Sequence, residues 1–179
     1  MAVRDTAAAT AFTEFASARS ANLFRTAYLI LGGDHQLAQD LVQESLIKTY
    51  LAWPRIRDLS KAEAYARRTI VTTAISWRRR RSFHERPTDL LPETAVPDSG
   101  EAVTTHASML AQLRSLPPRQ RAAIVLRYYQ DLSEAQTADV MGCSVGAVKS
   151  HVSTGLARLR QGLGQAFDET APAEREATS

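Results

Sequence analysis

The 179-residue chain has little of what a catalytic, secreted or membrane protein needs. It contains one cysteine, which excludes an internal disulfide and fits a reducing cytoplasm. Its four histidines lack metal-ligand spacing, none of its eight glycines forms a phosphate-binding loop, and no serine lies in a nucleophile elbow. The N-terminus lacks a signal-peptide core, and no apolar run approaches the ~18 residues of a membrane span. We therefore expect a soluble cytoplasmic protein that is not an enzyme and carries no metal or cofactor.

The net charge of +3 conceals an alternation of sign along the chain. Residues 1–82 hold 13 basic and 7 acidic side chains, and residues 113–165 hold 7 and 3. By contrast, residues 83–112 hold 1 basic and 5 acidic side chains, and residues 166–179 hold 1 and 4. Basic blocks attract phosphates and supply the sequence-independent part of nucleic-acid binding. A single charge run is usually a solvated face, but two basic blocks that each show helical periodicity favour a nucleic-acid partner.

Helical periodicity dominates the chain and strand alternation is weak, so the sequence predicts an all-α fold. A proline-containing acidic stretch, residues 83–106, has the composition of a flexible linker. It would join two small helical domains, residues 11–82 and 107–165. We expect residues 1–10 to be a flexible N-terminus and residues 166–179 a disordered acidic tail.

Capping residues divide the second domain into helices in quick succession. Pro117 and Pro118 suit a helix start, because a residue in the first turn needs no N–H partner. Ser133 and Gln136 form a capping box for a short helix, which Gly142 ends. The spacing predicts a helix-turn-helix and, with it, DNA recognition.

The last helix of this motif has two different faces. Ser144 can cap it, and apolar residues at helical spacing from Val145 to Leu163 form one stripe. Lys149 and Ser150 lie on other faces, which we expect to enter a DNA groove. The alternative is a packed helical hairpin with a solvated polar face, because such hairpins also occur in proteins that bind no DNA.

The first domain has the pattern of three helices. Gly32 and Gly33 separate the first from the second, which Asp34 can cap, and Ser60 with Glu63 forms a capping box for the third. Four adjacent cations repel one another, so the end of the third helix indicates an anionic partner, with phosphates as the natural candidate. These cations are Arg78, Arg79, Arg80 and Arg81.

The order and spacing of these segments resemble extracytoplasmic-function RNA polymerase sigma factors of the minimal type with two folded domains. The resemblance covers roughly residues 11–163. It implies a transcription initiation factor that directs polymerase to −10 and −35 promoter elements and assists strand opening. It also implies core RNA polymerase and promoter DNA as partners and a monomer when free. An anti-sigma factor is a further candidate partner, which the sequence does not name.

The resemblance assigns roles to three segments. Residues 40–44 resemble the segment that holds the clamp helices of the polymerase β′ subunit. Residues 65–81 resemble the helix that engages the single-stranded −10 element, and residues 116–163 the domain that reads the −35 duplex and docks on the β flap. The clamp candidates are Asp40, Leu41, Gln43, Glu44 and Leu46. The −10 candidates are Trp53, Lys61, Arg67, Arg68, Thr72, Arg78, Arg79, Arg80 and Arg81. The −35 candidates are Arg127, Ser144, Ala147, Lys149, Ser150, Ser153 and Thr154.

At four of these positions the chain leaves an alternative open or departs from the family pattern. Trp53 begins a loop in which the resemblance places a pocket for a flipped base, but we favour plain core packing for this side chain. Thr72 stands where many relatives have Asn, and it lacks the paired donor and acceptor of an amide. Ser153 and Thr154 replace basic or aromatic residues, which leaves Lys149 as the main charged reader of the −35 element.

A stand-alone helix-turn-helix regulator is the alternative function. Such a protein binds duplex DNA without polymerase, usually as a dimer on palindromic half-sites. The sequence shows no dimerisation helix or sensing domain, and the first domain would have no role in such a protein.

Overall fold

The protein is all-α throughout residues 2–56, 58–84 and 109–170, which are the residues that the computed structural model describes. The predicted all-α fold with two helical domains is confirmed. The N-terminal domain contains α1 (Ala2–Ile30), α2 (His35–Ala52), a 3₁₀ turn (Trp53–Arg55) and α3 (Leu59–His84). The C-terminal domain contains α4 (109–115), α5 (Pro118–Ile124), a π-helical turn (Val125–Tyr129), α6 (Glu134–Met141) and α7 (Val145–Thr170).

The first helix is longer than its amphipathic pattern predicts. The pattern starts near Ala11, whereas α1 begins at Ala2. The early residues include a run of alanines, and alanine is the strongest helix former even where no apolar stripe is present. The end of α1 is as predicted, because Gly32 and Gly33 have φ angles of 75° and 89°. Asp34 then caps α2 by accepting a hydrogen bond from the backbone N–H of Leu37 at 2.9 Å.

The predicted cap of the third helix is wrong. The Asp58 carboxylate accepts a hydrogen bond from the N–H of Ser60 at 2.9 Å, and the Asp58 carbonyl accepts one from Ala62. Asp58 therefore takes the position that the sequence assigned to Ser60. Glu63 turns away from the helix start and pairs with Arg67 at 2.9 Å. Hydrogen bonds from the N–H and hydroxyl of Ser60 lower the pKa of the Asp58 carboxyl.

The predicted caps of the helix-turn-helix are confirmed. Ser133 and Gln136 form the reciprocal capping box at the start of α6. Gly142 ends α6 in the left-handed conformation, with a φ of 61°. The Ser144 hydroxyl then accepts a hydrogen bond from the N–H of Ala147 at 3.2 Å, which caps α7.

The two domains pack against each other and share a hydrophobic core. Helix α3 contacts α5 and α6, and α1 contacts α5 and the π-helical turn. The predicted linker, residues 83–106, lies outside the described residues apart from the last two residues of α3. The composition of the linker did not predict that the two domains would pack against each other. The shared core includes Leu23, Ala27, Ile70 and Val71 from the N-terminal domain and Ala123, Leu126, Val140 and Met141 from the C-terminal domain.

A second, smaller core belongs chiefly to the C-terminal domain. Leu113, Leu116 and Ile124 are buried there, with leucines of α7 packed against them. A Cβ atom on Gly155 would lie 2.6 Å from the Ile124 Cδ1 atom, so glycine allows α5 and α7 to approach closely at this point. This packing fixes the direction in which α7 presents its polar side.

Candidate interfaces for nucleic acid and protein partners

Helix α7, the candidate recognition helix, presents its polar residues to solvent, as its periodicity predicts. The side chain of Lys149 is 63% exposed, while Val148 beside it is fully buried. The apolar stripe differs from the prediction at its first position, because Val145 is 40% exposed. The stripe's last member, Leu163, has a side chain outside the described residues. The exposed polar set consists of Ser144, Ser150, Ser153 and Thr154, with Ala147 half-buried beside them.

Two candidate −35 residues already have partners within the C-terminal domain. The Lys149 Nζ atom lies 3.5 Å from a carboxylate oxygen of Glu134 on α6, and both side chains are largely exposed. An exposed ion pair of this kind contributes about 0–1 kcal/mol, so a phosphate can displace Glu134 at little cost. Ser144 uses its oxygen as the cap of α7. Its O–H group can still donate to a DNA phosphate.

Arg127 has a structural role that the sequence did not indicate. Its Nη1 atom donates to the carbonyl of Leu132, across the turn that leads into α6. Asp131 in that turn has a φ of 49°, which is uncommon for a residue other than glycine. The bond therefore ties a strained turn to the end of the π-helical segment. A guanidinium has five N–H donors, so a phosphate contact by Arg127 stays a prediction.

His151 lies on α7, where its surroundings disfavour the charged imidazole. Partial burial lowers its pKa below the ordinary value of 6.5, and the positive charge of Arg119 lowers it further. Burial and Arg119 therefore both disfavour a positive charge on this imidazole.

Helix α3, the candidate −10 helix, has a face on which Tyr65 and Thr72 are exposed and Thr69, at helical spacing between them, is half-buried. The Thr72 hydroxyl donates to the carbonyl of Arg68 at 2.8 Å, one turn earlier. Its single donor is thus used within the helix, and its oxygen remains as an acceptor toward a base. Thr72 therefore has no donor left for a base, whereas an amide side chain at this position could both donate and accept.

Adjacent arginines on α3 have different environments. The Arg67 side chain is 16% exposed and donates to Glu63 at 2.9 Å, and Glu63 also lies 3.3 Å from Arg19 of α1. The Arg68 side chain is 53% exposed and lies 3.6 Å from the carboxylate of Asp139 on α6. Arg67 is therefore held in an internal network, while Arg68 faces the other domain. The side chains of Arg78, Arg79, Arg80 and Arg81 lie outside the described residues.

Trp53 belongs to an aromatic cluster at the end of α2. Its ring lies 5.2 Å from that of Phe12 and 5.3 Å from that of Phe15, measured between centroids. Phe12 also contacts Tyr50 edge-on. This is the core packing that the sequence favours for Trp53. Lys61, near the start of α3, is exposed.

Helix α2 carries the candidate clamp segment on a partly exposed stripe. Asp40 and Gln43 are exposed and Glu44 is half-exposed, as a contact surface requires. Leu41 is fully buried and supports the helix from the core, and its place in the contact surface stays a prediction. Leu46 is half-buried and also packs against that core.

The same stripe continues beyond the residues that the sequence singled out. Ile47 is 61% exposed and Leu51 is 70% exposed. They follow Asp40 and Glu44 at spacings of three and four residues, so all four share one side of α2. The signal that could have revealed them is this spacing, continued for one more turn past Leu46. Large apolar side chains exposed beside acidic ones are typical of a protein interface.

Comparison with known proteins places both domains in one family. The family model described as Sigma-70 region 2 matches residues 18–84, and the one described as Sigma-70, region 4 matches residues 106–159. The RNA polymerase sigma-E factor of Streptomyces avermitilis is 38% identical over 165 residues, which cover 92% of each chain. The ECF RNA polymerase sigma factor SigE of Mycolicibacterium smegmatis is 30% identical, over 95% of this chain and 68% of the relative. The chain belongs to the ECF sigma factors. As a member of this family, it directs transcription initiation.

Solved structures of sigma factors share the fold. The sigma factor RpoE of Bartonella quintana, in complex with the anti-sigma factor NepR, matches with a TM-score of 0.68 and 24% identity, over 86% of this chain and 96% of RpoE. CnrH, in complex with the cytosolic domain of CnrY, matches with a TM-score of 0.61 and 20% identity, over 93% and 96%. In this sigma factor, the region 2 match covers most of α1, α2 and α3, and the region 4 match includes the helix-turn-helix of α6 and α7.

The described part of this sigma factor offers neither a metal site nor a membrane span. No three histidine, cysteine, aspartate or glutamate side chains within it are placed to hold a metal ion. None of its described helices is long and apolar enough to cross a membrane.

Proposed function

We propose that this sigma factor binds core RNA polymerase through α2 and reads two promoter elements, one with α3 and one with α7. The observation that carries the proposal is that each domain presents an exposed polar helix face. Thr72 and Arg68 lie on α3, and Lys149 lies on α7. Each of these helices falls within the region that its family model matches. Such a subunit acts in the cytoplasm, together with the polymerase.

The polymerase contact is proposed for the exposed stripe of α2. Asp40, Gln43 and Glu44 supply polar groups, while Ile47 and Leu51 supply apolar surface that a partner can remove from water. Truncating an apolar side chain that becomes buried on binding costs about 1–2 kcal/mol. The stripe faces solvent in the docked arrangement of the domains, so the free protein can make this contact directly.

The −10 and −35 contacts are proposed to differ in kind. On α7 the exposed Lys149, Ser150 and Ser153 suit the edges and phosphates of duplex DNA. On α3 the Thr72 oxygen and the Arg68 guanidinium suit an unpaired strand, because an acceptor and a cation together can contact a base and its phosphate. The structures of similar fold are complexes with anti-sigma factors or cytosolic domains, so a partner of that kind is also proposed.

The function is tested by run-off transcription from genomic promoters with purified core enzyme, together with co-elution of the two proteins. We expect transcripts that depend on the added chain. The double variant Ile47→Ser, Leu51→Ser should weaken core binding by about 2–3 kcal/mol, because two apolar anchors are removed. Met109→Ser, which removes an exposed apolar side chain outside both the α2 stripe and residues 116–163, should leave core affinity unchanged.

Other outcomes would favour the stand-alone regulator. If no transcript depends on the chain and it does not co-elute with core, the polymerase-subunit function is wrong. Nanomolar, sequence-specific binding of the free chain to promoter duplex would support the regulator directly, since a sigma factor needs polymerase to hold both elements.

A further inference from the structure

A lysine on α2 connects the two surfaces of region 2 that are proposed to bind different partners. The Lys48 Nζ atom lies 2.5 Å from a carboxylate oxygen of Glu44, which is one helical turn earlier on the stripe proposed for the polymerase. The same atom donates to the Thr73 hydroxyl of α3 at 3.4 Å. Thr73 directly follows Thr72, whose oxygen is proposed to face the unpaired −10 strand. One ammonium group therefore contacts both the polymerase stripe and the helix proposed to read DNA.

The position of Lys48 keeps its ammonium group within reach of a further partner. Its side chain is exposed and that of Glu44 is half-exposed, whereas Thr73 is buried. An ammonium group has three N–H donors, and the two contacts within region 2 use two of them. The third donor can therefore reach an anion that arrives from solvent.

The neighbouring side chains on α3 indicate which anion Lys48 suits. Thr73, the contact of Lys48, follows the exposed Arg68 by five residues, which is about 7–8 Å along the helix axis. The exposed Thr72 lies between these two positions in the sequence. Two cations at that separation on one side of a helix suit a strand with regularly spaced phosphates better than a single small anion. The anion that fits Lys48 is therefore a backbone phosphate of an unpaired strand.

In the free chain, Glu44 competes with a phosphate for this lysine. A carboxylate followed four residues later by a lysine is a favourable pair on a helix, and each charge weakens the field of the other. At an exposed position such a pair is weak, so it opens when either member gains a better partner. A polymerase donor that binds the Glu44 carboxylate leaves Lys48 with only the neutral hydroxyl of Thr73. The full charge of the ammonium group then acts on the strand.

We propose that Lys48 is a phosphate contact for the −10 strand, and that polymerase makes it available by taking the Glu44 carboxylate from it. The inference rests on the proposed function, because it needs polymerase on α2 and the strand on α3. Polymerase and strand each gain when the same ion pair opens, so each should strengthen the binding of the other by the same factor. Lys48 thus couples the two binding events of region 2.

The first experiment measures the phosphate contact in the complex of the full-length chain with core polymerase. The probe is a short fluorescent oligothymidylate, whose backbone offers phosphates without a promoter sequence. Lys48→Ala should lower its affinity about fivefold and reduce the slope of log affinity against log salt by about 0.7, the value for one phosphate of a single strand. Lys48→Arg should keep the slope, because the cation is retained. Loss of a purely structural lysine would not change the salt slope.

The second experiment tests the exchange of the carboxylate in the free full-length chain. Glu44→Gln releases Lys48 without polymerase, so it should raise the affinity for oligothymidylate about threefold at low salt and steepen the salt slope. Asp40→Asn is the matched control, because Asp40 lies on the same stripe but accepts from the Gln36 Nε2 atom at 3.3 Å rather than from a lysine. It removes an equal charge and should give a smaller gain. In a Lys48→Ala background, Glu44→Gln should raise the affinity no more than Asp40→Asn does.

Each part of the inference has a result that overturns it. An unchanged salt slope in the Lys48→Ala complex overturns the phosphate contact. No gain with Glu44→Gln in the free chain, or a gain of the same size with Asp40→Asn or in the Lys48→Ala background, overturns the exchange. If the chain does not bind core polymerase at all, the proposed function fails, but the free-chain comparison still decides whether Glu44 restrains Lys48.

Discussion

The two helices proposed to contact DNA differ in what covers them. On α7 the polar side is open to solvent, and Lys149 there forms an exposed ion pair with Glu134 of the same domain. On α3 two adjacent arginines have different surroundings. Arg67 is drawn into a network with Glu63, while Arg68 faces the other domain. The side of α7 that is proposed to contact DNA is thus open to a partner, whereas that of α3 is partly held in contacts within the fold.

The difference follows from how many neighbours each helix has. The described part of α7 packs chiefly on α5 and α6, which precede it directly in sequence. Helix α3 packs on α1 and α2 and also on α5 and α6 from the second domain. When a helix has neighbours on one side only, its sequence periodicity predicts which of its polar residues are exposed. When a helix is enclosed from several sides, periodicity does not predict this, because distant residues decide which of its polar groups remain exposed.

The largest expected effect tests whether the two domains share one core. Ile70 on α3 is fully buried in the cluster that includes residues of both domains. Ile70→Ala should lower the free energy of unfolding by about 2–5 kcal/mol, because it leaves a cavity in that core. Urea denaturation followed by tryptophan fluorescence and by circular dichroism measures the decrease.

The number of unfolding transitions shows whether the two domains unfold together. A shared core predicts one transition for both domains, shifted as a unit by Ile70→Ala. Val148→Ala, at a fully buried position of α7, is the matched change in the C-terminal domain and should cost less, because fewer atoms are removed. Two separate transitions, with only the first moved by Ile70→Ala, would show that the domains unfold independently.

The neighbouring arginines of α3 offer a sharper test. Arg67→Ala should cost about 1–3 kcal/mol of folding stability, because a mostly buried partner of Glu63 is removed. Arg68→Ala should change stability by less than about 1 kcal/mol, because its pair with Asp139 is exposed. The main effect of Arg68→Ala, unlike that of Arg67→Ala, should be weaker binding to single-stranded −10 DNA in the polymerase complex. Equal stability losses in the two variants would contradict the distinction between them.

The C-terminal domain was predictable because its signals are local. Proline, the Ser133–Gln136 box and Gly142 each act within a few residues, and the structure contains all of them. The Ser60–Glu63 box failed although it has the same pattern. Asp58 two residues earlier provides a competing acceptor, and Glu63 has arginine partners on two helices. Sequence pattern alone does not decide between two adjacent caps.

The features that could not be predicted from the sequence depend on contacts between residues that are far apart along the chain. Arg114 meets the carbonyl of Gly32 across 82 positions of the chain, and Gln130 meets Thr26 across 104. No periodicity or capping rule links such positions. The burial of Leu41 and the exposure of Ile47 could have been anticipated better, because both follow from the phase of α2 once its core side is fixed.

Removal of Lys149 should affect DNA reading without affecting the fold. Lys149→Ala should weaken −35 recognition by about 1–3 kcal/mol, because the variant cannot bind the base edge or phosphate that the ammonium group reaches. Core affinity should not change, because the proposed clamp contact lies on α2. Promoter activity and core affinity measured side by side test both statements.

The matched control for Lys149 is its own partner. Glu134→Gln removes the charge that faces Lys149 and leaves the lysine in place, so promoter activity should be maintained or rise. Unchanged promoter activity in Lys149→Ala, or an equal loss of core binding, would mean that the DNA-facing side of α7 has been assigned incorrectly.

The smallest expected effect concerns the pH dependence of stability that His151 on α7 contributes. Its pKa is below 6.5 in the folded protein, first because of burial and then because of Arg119. The unfolded chain therefore binds more protons than the folded one just below that pH, so stability rises with pH through this window and is lost as the pH falls. His151→Gln should flatten the pH dependence of the urea midpoint between about pH 5 and 7. Arg119→Gln should flatten it only in part, because burial is the larger cause. A variant chain whose midpoint keeps the full slope of the parent would show that another group is responsible for it.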